Sequence, residues 1–229
     1  MSYMNKHLPS CEKRKEKLAG ETKGRQCGYF ELAIYPKYHR EHWLFIEIRD
    51  TATLKDLDSF LRDIWLECCG HLSAFEIRGI RYESMPVNDP FWGEPVKSMN
   101  CRLKTVLEKG MTIDYEYDFG STTELMITVV NNRTGRLGKE KLTILSRNNP
   151  HVYMCDECGK KPAVCICAEC IYEGYGLLCE DCAKDHECGE EMLMDLCNSP
   201  RMGVCAYEGS EIYPDQFMAD SELEKDKEV

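Results

Sequence analysis

The chain has 229 residues, enough for one large domain or two small ones, with a net charge of −11 and 15 cysteines. No apolar run approaches the ~20 residues of a membrane-spanning helix, and residues 1–28 hold no apolar leader, so a cytoplasmic protein in a reducing compartment is expected. Residues 150–229 carry six Lys/Arg against nineteen Asp/Glu, together with ten of the cysteines; so acidic a segment argues against the phosphate binding of many zinc fingers and for a protein partner with a basic surface.

Residues 1–28 hold seven Lys/Arg and three Asp/Glu, with Lys13-Arg14-Lys15 and Lys17 close together. They read as a basic arm, disordered or loosely helical, either a solvated leader or a contact to nucleic acid. From Tyr29 the texture changes. Tyr29–Tyr35 and His42–Ile48 are rich in aromatic and β-branched residues and read as paired strands. Thr53 is a good N-cap with Asp56 three residues on, and Leu54, Leu57, Leu61, Ile64, Trp65 and Cys68 recur at helical spacing. One long helix is therefore expected, ending at Gly70. Phe75–Ile77 and Ile80–Tyr82 read as short strands.

The loop 84–100, rich in proline, is expected to place Phe91 and Trp92 against the sheet. Leu103–Leu107 is a short element. Thr112–Phe119 and Leu125–Val130 are strands, Asn131–Gly138 is a turn, and Lys141–Leu145 is a last strand. The order suggests an α+β domain over 29–147 with a β-grasp-like mixed sheet on one long helix. The composition shift near Arg147–Pro150 marks its end.

Two short stretches resemble one family. Tyr115-Glu116-Tyr117-Asp118-Phe119-Gly120 is similar to the signature of Ri-plasmid open-reading-frame-three-like proteins, also labelled insertion-element passenger or TnpR-like proteins. Gly70-His71-Leu72-Ser73-Ala74-Phe75 resembles the same family's His-Leu-x-x-Phe element. The likeness covers about 30–147 and implies an α+β domain of undetermined function. The family often continues with an acidic pair, a Trp and, two residues on, a His. Here Ser121-Thr122, Thr123 and Leu125 stand instead, so a site built on that Trp and His is missing. The Ser-Thr-Thr-Glu variant goes with a cysteine-rich tail in the resembled subgroup.

That tail spans 150–215 and reads Cys155-x2-Cys158, Cys165, Cys167-x2-Cys170, Cys179-x2-Cys182, His186, Cys188. A Cys-x2-Cys turn folds two sulfurs within one metal's reach, and zinc takes four thiolate or imidazole ligands in a tetrahedron. Leaving out Cys165, the eight ligands Cys155, Cys158, Cys167, Cys170, Cys179, Cys182, His186 and Cys188 make two closed, structural Zn2+ sites. A disulfide framework belongs to secreted chains. Reduced core cysteines suit Cys68, Cys69 and Cys101 but not three knuckles.

The order resembles a cross-braced B-box-like finger. The resemblance implies that Cys155, Cys158, Cys179 and Cys182 share one zinc while Cys167, Cys170, His186 and Cys188 share the other. A sequential pairing, Cys165 in place of Cys167, or Cys197 or Cys205 in place of Cys188, stays open. Cys205 reads as a buried thiol rather than a late ligand. Residues 219–229 read as an acidic disordered tail.

In the first domain His71, with Asp118 and Glu124, forms a candidate acid–base trio. The competing structural reading has His71 capping the helix end and Asp118 organising the turn. Function therefore reads as a non-catalytic zinc-binding interaction protein. The alternatives are a mobile-element-linked factor touching nucleic acid through its basic arm, and an enzyme centred on His71 and Asp118.

Overall fold

The computed structural model describes residues 2–87 and 96–213. Phe91 and Trp92 and the tail 219–229 lie outside the described residues. The chain divides into two compact units. The first comprises the segment up to Asp58, Leu72–Tyr117 and Glu124–Asn148; the second comprises Ser59–His71, Asp118–Thr123 and the segment from Asn149 onward.

Two helices, α1 (Ser2–Ser10) and α2 (Glu12–Ala19), open the first unit. The arm, expected to be disordered or loosely helical, forms two helices. Leu8 is buried against Ala33 and Phe45, with Met4, Trp43, Val130 and Leu145 around them. Arg14 meets Glu31 at 2.7 Å and Glu47 at 3.3 Å. Two apolar anchors and one paired cation are enough to dock a segment whose mean composition reads as solvated.

Strands β1 (Gln26–Pro36), β2 (Leu44–Arg49), β3 (Ser73–Ile77), β4 (Ile80–Glu83), β5 (Lys97–Ser98), β6 (Thr112–Tyr117), β7 (Thr123–Arg136) and β8 (Leu142–Arg147) form one sheet. Their order is β5-β4-β3-β6-β7-β1-β2-β8. The β4–β5 pair is parallel and β1–β2, β1–β7, β2–β8, β3–β4 and β3–β6 are antiparallel, so the sheet is mixed. Alternate residues Leu125, Ile127 and Val129 of β7 are fully buried, as the two-residue period of a half-buried strand requires. β1 is buried on both faces from Phe30 to Pro36, because α1 covers Ala33 on one side while Leu32 and Ile34 fill the other.

β7 runs through residues expected to turn. Asn131–Arg136 pair with Gln26–Glu31 across a register shift at Glu31/Leu32. Arg133 anchors this extension, meeting Glu47 at 2.6 Å and Glu21 at 3.0 Å. The polar residues suggested a loop; they are instead satisfied by ion pairs across the sheet.

The expected long helix is short. α3 spans Leu54–Leu61, followed by a π-helical turn over Arg62–Leu66 closed by Glu67 N–H donating to the Arg62 carbonyl. Thr53 and Asp56 form the reciprocal capping box, Asp56 N–H to Thr53 Oγ1 at 3.1 Å and Thr53 N–H to Asp56 Oδ2 at 2.8 Å. The face of Leu54, Leu57, Leu61, Ile64 and Trp65 is buried. Glu67 turns to extended backbone, so Cys68 leaves the helix and Gly70 lies beyond its end.

The second unit holds a smaller sheet, β10 (Leu177–Leu178), β9 (Cys165–Cys167) and β11 (Leu193–Asp195) in the order β10-β9-β11, and the short α4 (Glu180–Lys184). Among the described residues of its rear segment, the buried apolar side chains are Ile166, Leu178, Tyr207 and five cysteines, Cys155, Cys165, Cys167, Cys170 and Cys179. Three non-cysteine side chains are a thin core for so long a segment.

Candidate metal centres

All fifteen cysteines are free. Four sulfur pairs stand 3.6–3.9 Å apart, well beyond the ~2.05 Å of a disulfide. Instead, three groups of four side chains each bring their ligand atoms within 4.8 Å of one another. Each group could hold a metal ion.

The first group is Cys155, Cys158, Cys179 and Cys182. Cys155 and Cys158 sit on a tight turn closed by Gly159 N–H donating to the Cys155 carbonyl at 2.9 Å. Cys179 precedes α4 and Cys182 lies one turn inside it, so the helix start presents both sulfurs to one side. Cys158 and Cys179 Sγ are 3.9 Å apart. Burial disfavours ionisation of Cys155, but backbone N–H donors from Cys158, Cys179 and Glu157 outweigh it and bring the thiol down to about 6. Backbone donors from Lys160 and Lys161 lower Cys158 as well. The folded turn therefore favours thiolate over thiol.

The second group is Cys167, Cys170, His186 and Cys188. Cys167 ends β9, and Cys170 begins a short 3-10 turn, Cys170–Glu173. Cys170 Sγ lies 3.5 Å from His186 Nε2 and 3.6 Å from Cys188 Sγ. His186 Nδ1 faces Glu157 Oε1 at 3.1 Å, which fixes the ring with Nε2 towards the sulfurs. Burial opposes ionisation of Cys167, yet the backbone N–H of Cys170 and the His186 ring bring its thiol to about 7. The Cys170 sulfur pushes the Cys188 thiol up to about 12. A divalent cation at the centre would favour thiolate at every position, releasing protons as it binds.

Close approach here requires glycine. Gly176 has φ +124°, and a Cβ on it would stand 3.0 Å from Cys170 Cβ and 3.3 Å from the Cys167 carbonyl oxygen. Asp156 Oδ2 accepts from the Gly176 and Leu177 N–H groups at 2.9 and 2.8 Å.

All eight expected ligands are thus gathered, the first and third pairs in one group and the second pair with His186 and Cys188 in the other. Cys165 stands outside both; its thiol donates to the Leu178 carbonyl at 3.7 Å. Cys197 belongs to none of the groups found among the described residues.

The third group was not foreseen. Cys68, Cys69, His71 and Cys205 converge, although Cys68 was expected on a buried helical face and Cys205 as a buried thiol. Cys69 and Cys205 are exposed. The acid–base trio is only partly assembled. His71 Nδ1 stands 3.4 Å from Asp118 Oδ1, but Glu124 pairs with Lys37 at 2.8 Å. His71 caps no helix end, since the helix stops at Leu66. Asp118 does organise its turn, at φ 64° with Oδ1 accepting from Gly120 N–H at 3.0 Å. The signal for this group was the adjacent pair Cys68-Cys69 with a histidine two residues on.

The fold and these groups define an α+β protein with metal-binding-type cysteine clusters. The sequence profile of the plasmid pRiA4b ORF-3-like proteins matches residues 34–149. This chain belongs to the plasmid pRiA4b ORF-3-like family. Among curated proteins nothing matches. Among solved structures, it is similar to a protein of unknown function from Methanosarcina mazei Go1, with 18% identity and a TM-score of 0.44 over 53% of this chain and 69% of that one. No helix among the described residues is long and apolar enough to cross a membrane.

Proposed function

We propose that this chain is a non-catalytic zinc-binding interaction protein whose rear segment folds around two structural zinc ions in a B-box-like cross-brace. The observation that carries this reading is the alternation of the eight ligands between two complete tetrads. Four protein ligands fill zinc's tetrahedron and leave no position for a catalytic water. The metal is zinc because soft thiolates with imidazole in a closed tetrahedral set suit it. The thin apolar core makes metal binding and folding one event.

The partner is a protein with a basic surface. Residues 150–213 carry thirteen Asp/Glu against four Lys/Arg, and thiolates in excess over zinc charge add to that sign. The basic arm is a poorer candidate for nucleic acid, since Arg14 is already engaged by Glu31 and Glu47. A reducing compartment such as the cytoplasm keeps the thiolates available.

Hydrogen exchange on the zinc-loaded chain, before and after a strong chelator, tests this. Protection over 150–213 should collapse while β1, β2 and β7 of the first unit keep theirs. Unchanged protection over 150–213 after complete zinc removal refutes the structural-zinc reading.

A further inference from the structure

We infer that Cys68, Cys69, His71 and Cys205 form a third zinc site, set at the surface of the second unit. This inference goes beyond the two-zinc module and stands on separate residues. The sulfur–sulfur spacings are those of a tetrahedron's edges, and the nitrogen–sulfur spacings are shorter than such edges. Cys69 Sγ lies 3.8 Å from both Cys68 Sγ and Cys205 Sγ. His71 Nε2 lies 3.0 Å from Cys69 Sγ and 3.3 Å from Cys205 Sγ. Bonds of ~2.3 Å to sulfur and ~2.0 Å to nitrogen give edges of roughly 3.8 and 3.5 Å.

Burial of the ligand side chains themselves does not explain the convergence. Cys69 and Cys205 are exposed, so burial of apolar surface does not draw them together. The backbone is bent to bring them there. Cys205 and Ala206 both adopt φ 53°, at a cost of roughly 1–2 kcal/mol per non-glycine residue. Such strain persists where something else holds it; a bound cation would do so.

The ligands are also positioned as metal ligands are. His71 turns Nδ1 to Asp118 at 3.4 Å and Nε2 to the sulfurs, the same arrangement as Glu157 and His186 in the second tetrad. Asp118 is in turn held by Arg201 at 2.7 Å. The two ends of the site are pinned to each other: Ser199 Oγ donates to the Trp65 carbonyl at 2.6 Å, and Tyr207 Oη to the Ile64 carbonyl at 3.4 Å. Three thiolates and one imidazole leave no open coordination position, so the site is structural. It ties the segment after α3 to the tail.

Native mass spectrometry of the reduced, full chain refolded with zinc tests this. The wild type should carry one zinc for each of the three groups, and Cys205→Ser and His71→Ala one fewer. Cys205→His, which still offers a ligand, should restore the full count, a rescue that mere packing does not predict. In parallel, iodoacetamide should spare Cys69 in the zinc-loaded wild type and label it in Cys205→Ser. A wild type with two zinc ions, unchanged in Cys205→Ser but reduced in Cys158→Ser, overturns the third site and leaves the module standing. One zinc lost in Cys205→Ser but kept in Cys158→Ser overturns the module and leaves this site. No bound zinc overturns both.

Discussion

Replacing Arg201 by methionine should be among the most damaging single changes outside the ligands. Arg201 is fully buried. One terminal nitrogen donates to Asp118 Oδ2 at 2.7 Å, and the other to the Ser121 carbonyl and Thr123 Oγ1, both at 3.1 Å. Methionine fills much of the volume but removes the charge and every donor. A charge-assisted bond is worth ~1.5–3 kcal/mol and each neutral one about 1. The sum agrees with the ~3–5 kcal/mol cost of breaking a buried ion pair by removing one partner. Asp118, with 7% of its side chain exposed, would be left buried beside His71 with the Gly120 N–H. Burial raises its carboxyl, while Arg201 and Gly120 pull it below the ordinary value. The assay is urea unfolding by circular dichroism at fixed free zinc, because bound metal adds its own stabilisation. With a slope of ~2 kcal/mol per molar, the midpoint should fall by about 2 M. Arg201→Met with Asp118→Asn should be less damaged than the two losses combined, with a coupling of at least ~2 kcal/mol. A midpoint shift under ~0.5 M, or strictly additive losses, would refute the reasoning.

Other outcomes follow from the same contacts. Cys167→Ser should lose one zinc by mass spectrometry, whereas Cys165→Ser should lose none, because only the first of these sulfurs faces a tetrad. Gly176→Ala should destabilise the rear segment by roughly 1–3 kcal/mol in urea, from strain at positive φ and the approach to Cys170. Asp118→Asn should weaken zinc at the third site by ~10–100-fold in a chelator competition, leaving the other two sites unchanged. Glu21 sits in partial burial that would raise its carboxyl, but Arg133 outweighs this and holds it below the ordinary carboxylate value. Its folded value being depressed, its contribution is complete well above the ordinary carboxylate value and fades as pH falls through the lowered one. Glu21→Gln should therefore flatten the stability profile in that acid window and leave the neutral-to-basic limb unchanged in shape.

The elements most legible in the sequence are those decided by local pattern. Thr53 and Asp56 announce the helix start because the capping box is a four-residue device. The two rear tetrads follow from knuckles that prepare pairs of ligands a few residues apart. What escaped was set by distant partners. The sequence separation between Cys69 and Cys205 is 136 residues, and Cys68 was disguised by falling three residues after Trp65 in a convincing helical period. The π-turn at Arg62–Leu66 breaks that period, and no residue type there signals it. The polar run Asn131–Arg136 reads as a turn until Glu21 and Glu47 supply partners for Arg133. The arm looks solvated because its two anchoring side chains, Met4 and Leu8, are diluted by charge.

Glu157 lies inside the first knuckle yet orients the histidine of the second tetrad, and its neighbour Asp156 holds the strand start beside Cys170. An ion settling among the first four sulfurs would order the turn that carries these donors, so loading of one tetrad should favour loading of the other. Zinc uptake by the rear module would then be cooperative, with singly loaded chains scarce at intermediate supply. With zinc as the ion, such a segment would form or unform over a narrow range of free zinc concentration.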